Sequence, residues 1–316
     1  MARKLTVSSM CVVMAAIFLI QPALADDNNL KQGSGLVVSP PLVELKAKPG
    51  EIIAQTIKIQ NPTGNNLHVD VVSSDIGAKD ESGNPTVYEG KKGDAYSLMD
   101  WFELSPGFEV KSGDTKTYNY RLIVPKDATP GGHYGTLIFK PSASRESLEG
   151  SGAVIQSEIA SLVLLNIAGD ITYDGKITNF FTSKPNLQEP KKTMFFWKLN
   201  NDISFITRFQ NDSNTFVKPK GNVLVKNMLG KQIEVLNVND QNGNVLSMSA
   251  RRYETKWTKS KGFGIYSATS AVAYGDGKSA KSKTTNFVII PIKEIGIGLL
   301  ILLFLIWMIK NNKKKR

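Results

Sequence analysis

Apolar and polar residues alternate in short runs through most of this chain. Leu67-His68-Val69-Asp70-Val71 is a clean case, and Thr56-Ile57-Lys58-Ile59-Gln60 repeats it. Tyr118, Tyr120, Leu122 and Val124 share one parity of a third run. A period of two places alternate side chains on opposite faces, so each run predicts a strand with one buried face. Turn chemistry separates the runs: Lys48-Pro49-Gly50, Asn61-Pro62-Thr63-Gly64, Ser82-Gly83-Asn84-Pro85, Lys111-Ser112-Gly113-Asp114, and Asp127 through Pro130-Gly131-Gly132. Before the C-terminal apolar stretch no window shows a convincing 3.6-residue period. Many short strands with frequent turns predict an all-β fold of immunoglobulin-like sandwich type.

Both ends depart from this pattern. Arg3 and Lys4 precede the apolar run Met10–Ile20, which leads into Pro22-Ala23-Leu24-Ala25 and then Asp26-Asp27. A charged start, a short apolar stretch and a small-x-small site predict a signal peptide over 1–25, cut after Ala25. Cys11 is the single cysteine, so the cut chain is expected to hold no disulfide and no thiol nucleophile. Near the other end, Ile295–Ile309 is uncharged, and Lys310, Lys313, Lys314, Lys315 and Arg316 follow. An apolar stretch closed by five positive charges predicts a transmembrane helix over 291–309, with the tail 310–316 in the cytoplasm. The expected topology is an ectodomain outside, one span and a short basic tail inside the cell membrane. No LPxTG-like sorting motif precedes the span.

The ectodomain divides into two expected sandwiches, 26–170 and 171–290, with the segment Gly169–Gly175 as the boundary. Ile57-Lys-Ile-Gln60-Asn61 returns loosely as Thr207-Arg-Phe-Gln210-Asn211. Gly131-Gly-His-Tyr134-Gly-Thr-Leu-Ile-Phe139 is echoed by Lys261-Gly-Phe-Gly-Ile-Tyr266 and the strand after it. A glycine corner followed by a tyrosine that opens a strand resembles the tyrosine corner of immunoglobulin-like folds. There the ring packs and the hydroxyl bonds to backbone across the E–F loop. Tyr134 and Tyr266 are the expected corner residues.

The net charge of +11, from 39 Lys+Arg against 28 Asp+Glu, invites a nucleic-acid partner. Its distribution removes that support. Seven positive charges sit in 1–25 and 310–316, where they direct export and orientation. Segment 26–170 has 13 basic and 19 acidic residues, and 171–290 has 18 and 8. An acidic distal domain and a basic membrane-side domain follow. Lys191, Lys192, Lys218, Lys220, Arg251 and Arg252 are the candidates to face anionic lipid or wall polymer.

Catalytic chemistry is sparse. The two histidines, His68 and His133, are far apart in sequence, with no cysteine or clustered carboxylate at ligand spacing. No nucleophile-elbow, zinc-protease, P-loop or dinucleotide motif occurs. Asp240-Gln-Asn242-Gly-Asn244 lacks the acidic twelfth position of a calcium loop (residue 251 is Arg) and reads as a turn. No catalytic residue, metal or cofactor is expected, and the chain is expected not to be an enzyme. Trp101-Phe102 and Phe195-Phe196-Trp197 could form an aromatic binding platform, although strand aromatics more often serve a core.

Val38-Ser-Pro-Pro-Leu-Val-Glu-Leu45, Lys48-Pro-Gly-Glu51 and Ile59-Gln-Asn61 resemble the first strands of PapD-like bacterial immunoglobulin folds. Val124-Pro125, Pro130-Gly-Gly-His-Tyr-Gly135, Phe139 and the basic-tailed anchor resemble surface proteins of the WxL-interacting type. That resemblance implies two immunoglobulin-like domains on one C-terminal span in a Gram-positive envelope. It further implies a first domain that contacts peptidoglycan or a partner surface protein, and a second that contacts host or partner proteins. Pilus chaperones of the PapD type use a basic pair in the interdomain cleft; Lys46 and Lys48 are only candidates for such a pair, and ordinary solvated lysines account for them better. The expected function is a membrane-anchored surface protein that binds or scaffolds envelope polymer or other surface proteins. The alternative is an assembly factor that acts on secreted subunits by strand complementation.

Overall fold

The computed structural model describes residues 35–88, 95–143, 157–198, 200–275, 277 and 279–313. The expected signal peptide 1–25 and the tail residues Lys314, Lys315 and Arg316 lie outside them. Eleven strands precede residue 170: β1 (Val37–Ser39), β2 (Leu42–Ala47), β3 (Ile52–Gln60), β4 (Leu67–Ser74), β5 (Ile76–Ala78), β6 (Pro85–Val87), β7 (Phe102–Leu104), β8 (Phe108–Val110), β9 (Thr115–Ile123), β10 (Gly131–Ala143) and β11 (Ile159–Ile167). Eight follow: β12 (Gly175–Ser183), β13 (Phe195–Phe196), β14 (Asn200–Asn211), β15 (Lys220–Asn227), β16 (Gln232–Val238), β17 (Ser249–Lys261), β18 (Gly264–Tyr274) and β19 (Ser279–Ile289). One helix, α1 (Ile292–Lys313), ends the described chain.

The first sandwich packs a sheet of order β1-β3-β9-β7 against one of order β2-β11-β10-β4-β8. The first strand of the fold is split at the Ser39–Pro40 bond: β1 pairs antiparallel with β3, and β2 pairs parallel with β11. Strands β1-β3-β9 and β2-β11-β10-β4 follow the immunoglobulin plan A-B-E over A′-G-F-C, with β7 added beside β9 and β8 beside β4. The second sandwich repeats it, with β12-β14-β17 over β13-β19-β18-β15-β16. Its three-stranded sheet has no counterpart of β7 beside β17 among the described residues. The chain is therefore all-β, two immunoglobulin-like sandwiches in tandem, followed by one apolar helix.

The period-two runs explain why these strands form. Tyr118, Tyr120 and Leu122 on β9 are buried while their neighbours are exposed. They meet Ile57, Ile59, Leu137, Phe139, Leu165 and Ile167 between the sheets. The second core centres on Phe205, Phe209, Trp257, Tyr266 and Phe287. Burying one such aliphatic or aromatic side chain contributes roughly 1.5–3 kcal/mol. A third, small cluster of Ile76, Tyr134 and Leu164 packs with Phe216 and Leu246 from the second sandwich, so the two cores meet through it. Helix α1 includes one stretch, Ile292–Asn311, that is long and apolar enough to cross a membrane, and none of it is buried against the sandwiches.

Candidate functional site

The longest open sheet edge in the described chain belongs to β17. In the first sandwich the equivalent strand, β9, is covered on its outer side by β7, through Phe102↔Leu122 and Leu104↔Tyr120. In the second, β17 pairs with β14 and no other strand among the described residues. Arg252 N donates outward to Glu81 O at 2.6 Å, a single bond from the β5–β6 turn. Backbone groups of one strand residue point to one side, so Glu254 and Lys256, at the same parity, also direct N–H and C=O outward. Tyr253, Thr255 and Trp257 at the other parity turn their side chains into the core. Between β17 and β16 lies a groove of about 490 Å³, lined by Ser82, Leu236, Asn237, Asn239–Gln241 and Arg251–Lys256. It occupies the place where a further strand of this sheet would run.

The groove floor is polar and partly braced. Thr255 Oγ1 donates to Asn237 O at 3.3 Å. Ser204 Oγ donates to Glu254 Oε1 at 2.6 Å, and Lys256 Nζ donates to Asn186 Oδ1 at 2.6 Å. Burial pushes the Tyr253 hydroxyl well above its ordinary range, against the pull of Arg251. Arg251 lies over the Tyr253 ring, 5.6 Å from its centroid.

A second concavity, about 510 Å³, opens where the sandwiches meet, lined by Glu44, Lys46, Asn166, Phe216, Lys218, Lys220 and Tyr274 among others. Glu44 closes its rim. It accepts from Lys218 Nζ at 2.6 Å and from Asn244 Nδ2 at 2.7 Å. Lys46 lines this cleft; Lys48 does not.

The structure separates the six expected anionic-surface cations. Lys191 and Lys192 are exposed on the connection that leads to β13. Lys218 is held by Glu44, and Lys220 sits beside it in the junction cleft. Arg252 donates to Gln188 O at 3.0 Å. Arg251 donates to Asn244 O at 2.8 Å, and its guanidinium lies so close over Gly83 that a Cβ there would sit 2.2 Å from Cζ. The six do not lie together. Strand direction carries Lys218, Lys220, Arg251 and Arg252 to the end of the second sandwich that faces the first, away from α1.

Tyr134 also departs from expectation. Its parity on β10 is opposite to that of Leu137 and Phe139, so it leaves its own core and lies at the junction. Its hydroxyl accepts from Ser247 N of the second sandwich at 3.0 Å. Tyr266 stays inside its own sandwich and donates to Phe263 O at 3.5 Å. His133 packs on Trp101, with ring centroids 4.5 Å apart, and its Nε2 lies 2.9 Å from Thr129 O. His68 bridges Asp70 and Glu109 at the surface, at 3.3 and 3.0 Å. Among the described residues no group of three or more His, Cys, Asp or Glu could hold a metal ion. Phe196 is core, whereas Phe195 and Trp197 are exposed and stacked at 5.8 Å. Lys310 is exposed on α1, and Lys313 is its last residue. The junction roles of Glu44, Glu81, Asn244 and Ser247 do not show in the sequence, because each acts on a partner more than a hundred residues away.

No protein-family model matches the chain, and no curated protein matches its sequence. Solved structures do. The class 5 fimbriae chaperone CfaA aligns over 80% of this chain and 99% of its own, at 8% identity and a TM-score of 0.40. The Pseudomonas aeruginosa CupB2 chaperone aligns over 80% and 100%, at 10% identity and 0.36. A PapD-like domain of human CEP192 aligns over 53% and 99%, at 10% identity and 0.31. At these scores the fold assignment stands on strand order and register alone.

Proposed function

We propose that this chain is a membrane-anchored, non-catalytic binding protein of the cell surface that holds an extended segment of a protein partner along β17. One observation carries this. The second sandwich repeats the strand plan of the first, but among the described residues no strand lies beside β17 where β7 stands beside β9; only the β5–β6 turn touches that edge, through Glu81. An unpaired edge next to a groove is the setting for strand addition, in which main-chain bonds give affinity and alternate side chains give selectivity. The charged residues Arg252, Glu254 and Lys256 on the outer parity keep the edge from unselective pairing. Helix α1 tethers the ectodomain to the membrane, with the basic tail in the cytoplasm. The resemblance to WxL-interacting proteins points to another secreted surface protein as the partner.

The test is capture of surface proteins by the purified full chain in detergent, with two substitutions at one position. Lys256→Pro removes an outward N–H and fills the path of an incoming strand, while the bonds to β14 remain. Lys256→Ala removes only the side chain. Retention by the wild type and Lys256→Ala, lost at least tenfold in Lys256→Pro with an unchanged melting temperature, is the expected result. Equal retention by all three proteins, or retention of polymer alone, would sink the proposal.

A further inference from the structure

The end of the second sandwich from which α1 leaves is ringed by exposed apolar side chains. Strand β19 runs toward α1 and stops at Ile289. Its neighbour β18 starts there, with Gly264 opposite Ile289 and Ile265 opposite Val288. Strand β13 pairs at the same level, Phe195 with Val288. Strand β15 ends one step along, with Asn227 opposite Tyr266, so the β15–β16 tip projects at this end too. These strand ends present Phe195 (49% exposed), Trp197 (51%), Met228 (72%), Leu229 (84%), Phe263 (77%) and Ile265 (53%). Exposed lysines, Lys198, Lys226 and Lys231, stand beside them.

Separately, nothing loose joins this end to the helix. Val288 N donates to Met194 O, and Ile290 N donates to Phe196 O, both at 2.8 Å. Only Ile290 and Pro291 lie between β19 and α1. Two residues span at most about 7 Å. Whatever surface α1 enters therefore begins within a few ångströms of the apolar ring. A protein surface that shows large aromatic and aliphatic tips flanked by lysines suits the interfacial zone of a bilayer, where tryptophan and lysine anchors collect.

We infer that Trp197, Leu229 and Phe263, with their three neighbours, insert into the outer headgroup region of the same membrane that α1 crosses. The sandwich is thereby seated on the lipid surface, upright, with the first sandwich held away from it. This rests on the reading of α1 as a membrane span. The seat also fixes the height of the β17 edge above the membrane, because the 11 residues of β18 extend about 37 Å at about 3.4 Å each.

The test uses the full chain in vesicles of phosphatidylcholine with phosphatidylglycerol, and in phosphatidylcholine alone. Single-cysteine variants on a Cys11→Ser background carry an environment-sensitive dye at Leu229→Cys, Phe263→Cys, Met248→Cys or Leu303→Cys. Met248 is exposed at the opposite end of the sandwich, and Leu303 lies in α1. Lipids with a quencher near the headgroup should dim the dye at 229 and 263 at least threefold more than at 248, in both vesicle types. Lipids with a deep quencher should dim the dye at 303. Quenching at 303 without quenching at 229 and 263 overturns the seat and leaves the span standing. No quenching at 303 overturns the span and the seat together. Quenching at 229 and 263 that is lost in phosphatidylcholine alone would replace the apolar seat with a purely electrostatic contact.

Discussion

The hydroxyl of Tyr134, on the first sandwich, accepts the backbone N–H of Ser247, on the second, at 3.0 Å. Ser247 is 9% exposed, so its amide has little water to turn to. Tyr134→Phe keeps the ring packing and deletes the acceptor. A buried donor left without its partner costs about 1–3 kcal/mol, which lowers the melting temperature by roughly 3–10 °C. Calorimetry of the variant should also show the two sandwiches melting less cooperatively. An unchanged single transition would remove this bond from the list of what joins them.

Gly131 sets how closely the sandwiches approach. It holds φ +118°, and a Cβ there would lie 2.2 Å from Asn214 O. The next residue, Gly132, donates its N–H to that same carbonyl at 2.9 Å. Gly131→Ala must therefore push the second sandwich away as well as strain its own backbone. Gly113→Ala is the control, since its φ is +77° but nothing lies within 4 Å of the added carbon. Hydrogen exchange should speed up at least tenfold at the Gly132 and Ser247 amides in Gly131→Ala, with amides of β3 and β14 unaffected. In Gly113→Ala the change should stay within its own turn.

Asn61 and Asn211 show what the sequence made legible. Asn61 directly follows β3 and Asn211 closes β14, the equivalent strands of the two sandwiches, and both are fully buried. Asn61 Nδ2 donates to Asn65 O and Val110 O, and its Oδ1 accepts from Thr63 N. Asn211 Nδ2 donates to Thr215 O, Val245 O and Leu246 O, and its Oδ1 accepts from Ser213 N. The repeated Gln-Asn pair thus marks equivalent turns, because the same side chain must satisfy the same backbone groups in both copies. Alternation along β3, β4 and β9 likewise announced strands, since one-sided burial leaves a period of two. The junction was not legible. Tyr134 carries the look of a corner residue, but its parity on β10 turns it outward, and nothing near Ser247 signals the partner. The open edge of β17 was hidden for the same reason, because pairing is decided by strands distant in sequence.

Replacing either asparagine tests the equivalence. Asn61→Ala and Asn211→Ala each strip two or three buried carbonyls of their donor, at a cost of about 2–4 kcal/mol. Each should expose mainly its own sandwich to limited proteolysis. Asn61→Ala should be cut first within 35–143, and Asn211→Ala within 200–275. Cutting at the same sites in both variants would mean that the sandwiches unfold as one body.

Tyr120 makes the chain sensitive to alkali. Its ring is 2% exposed on β9, and its hydroxyl has no hydrogen-bond partner among the described residues. Burial pushes its pKa up to about 12, against about 10 in an unfolded chain. Below pH 10 both states keep the proton, and the group does not alter stability. Between pH 10 and 12 the unfolded state has released its proton and the folded state has not. The unfolded state then binds fewer protons, so stability falls as pH rises, by an amount on the order of 2–3 kcal/mol. Tyr118, Tyr253 and Tyr266, also raised by burial, act in the same direction. Tyr120→Phe removes an unpaired buried hydroxyl, so at pH 8 it should unfold at the same or slightly higher urea concentration than the wild type. The gap should widen in favour of the variant by pH 11.5. Urea midpoints that fall in parallel for the two proteins would show that this hydroxyl titrates in the folded state as freely as in the unfolded one.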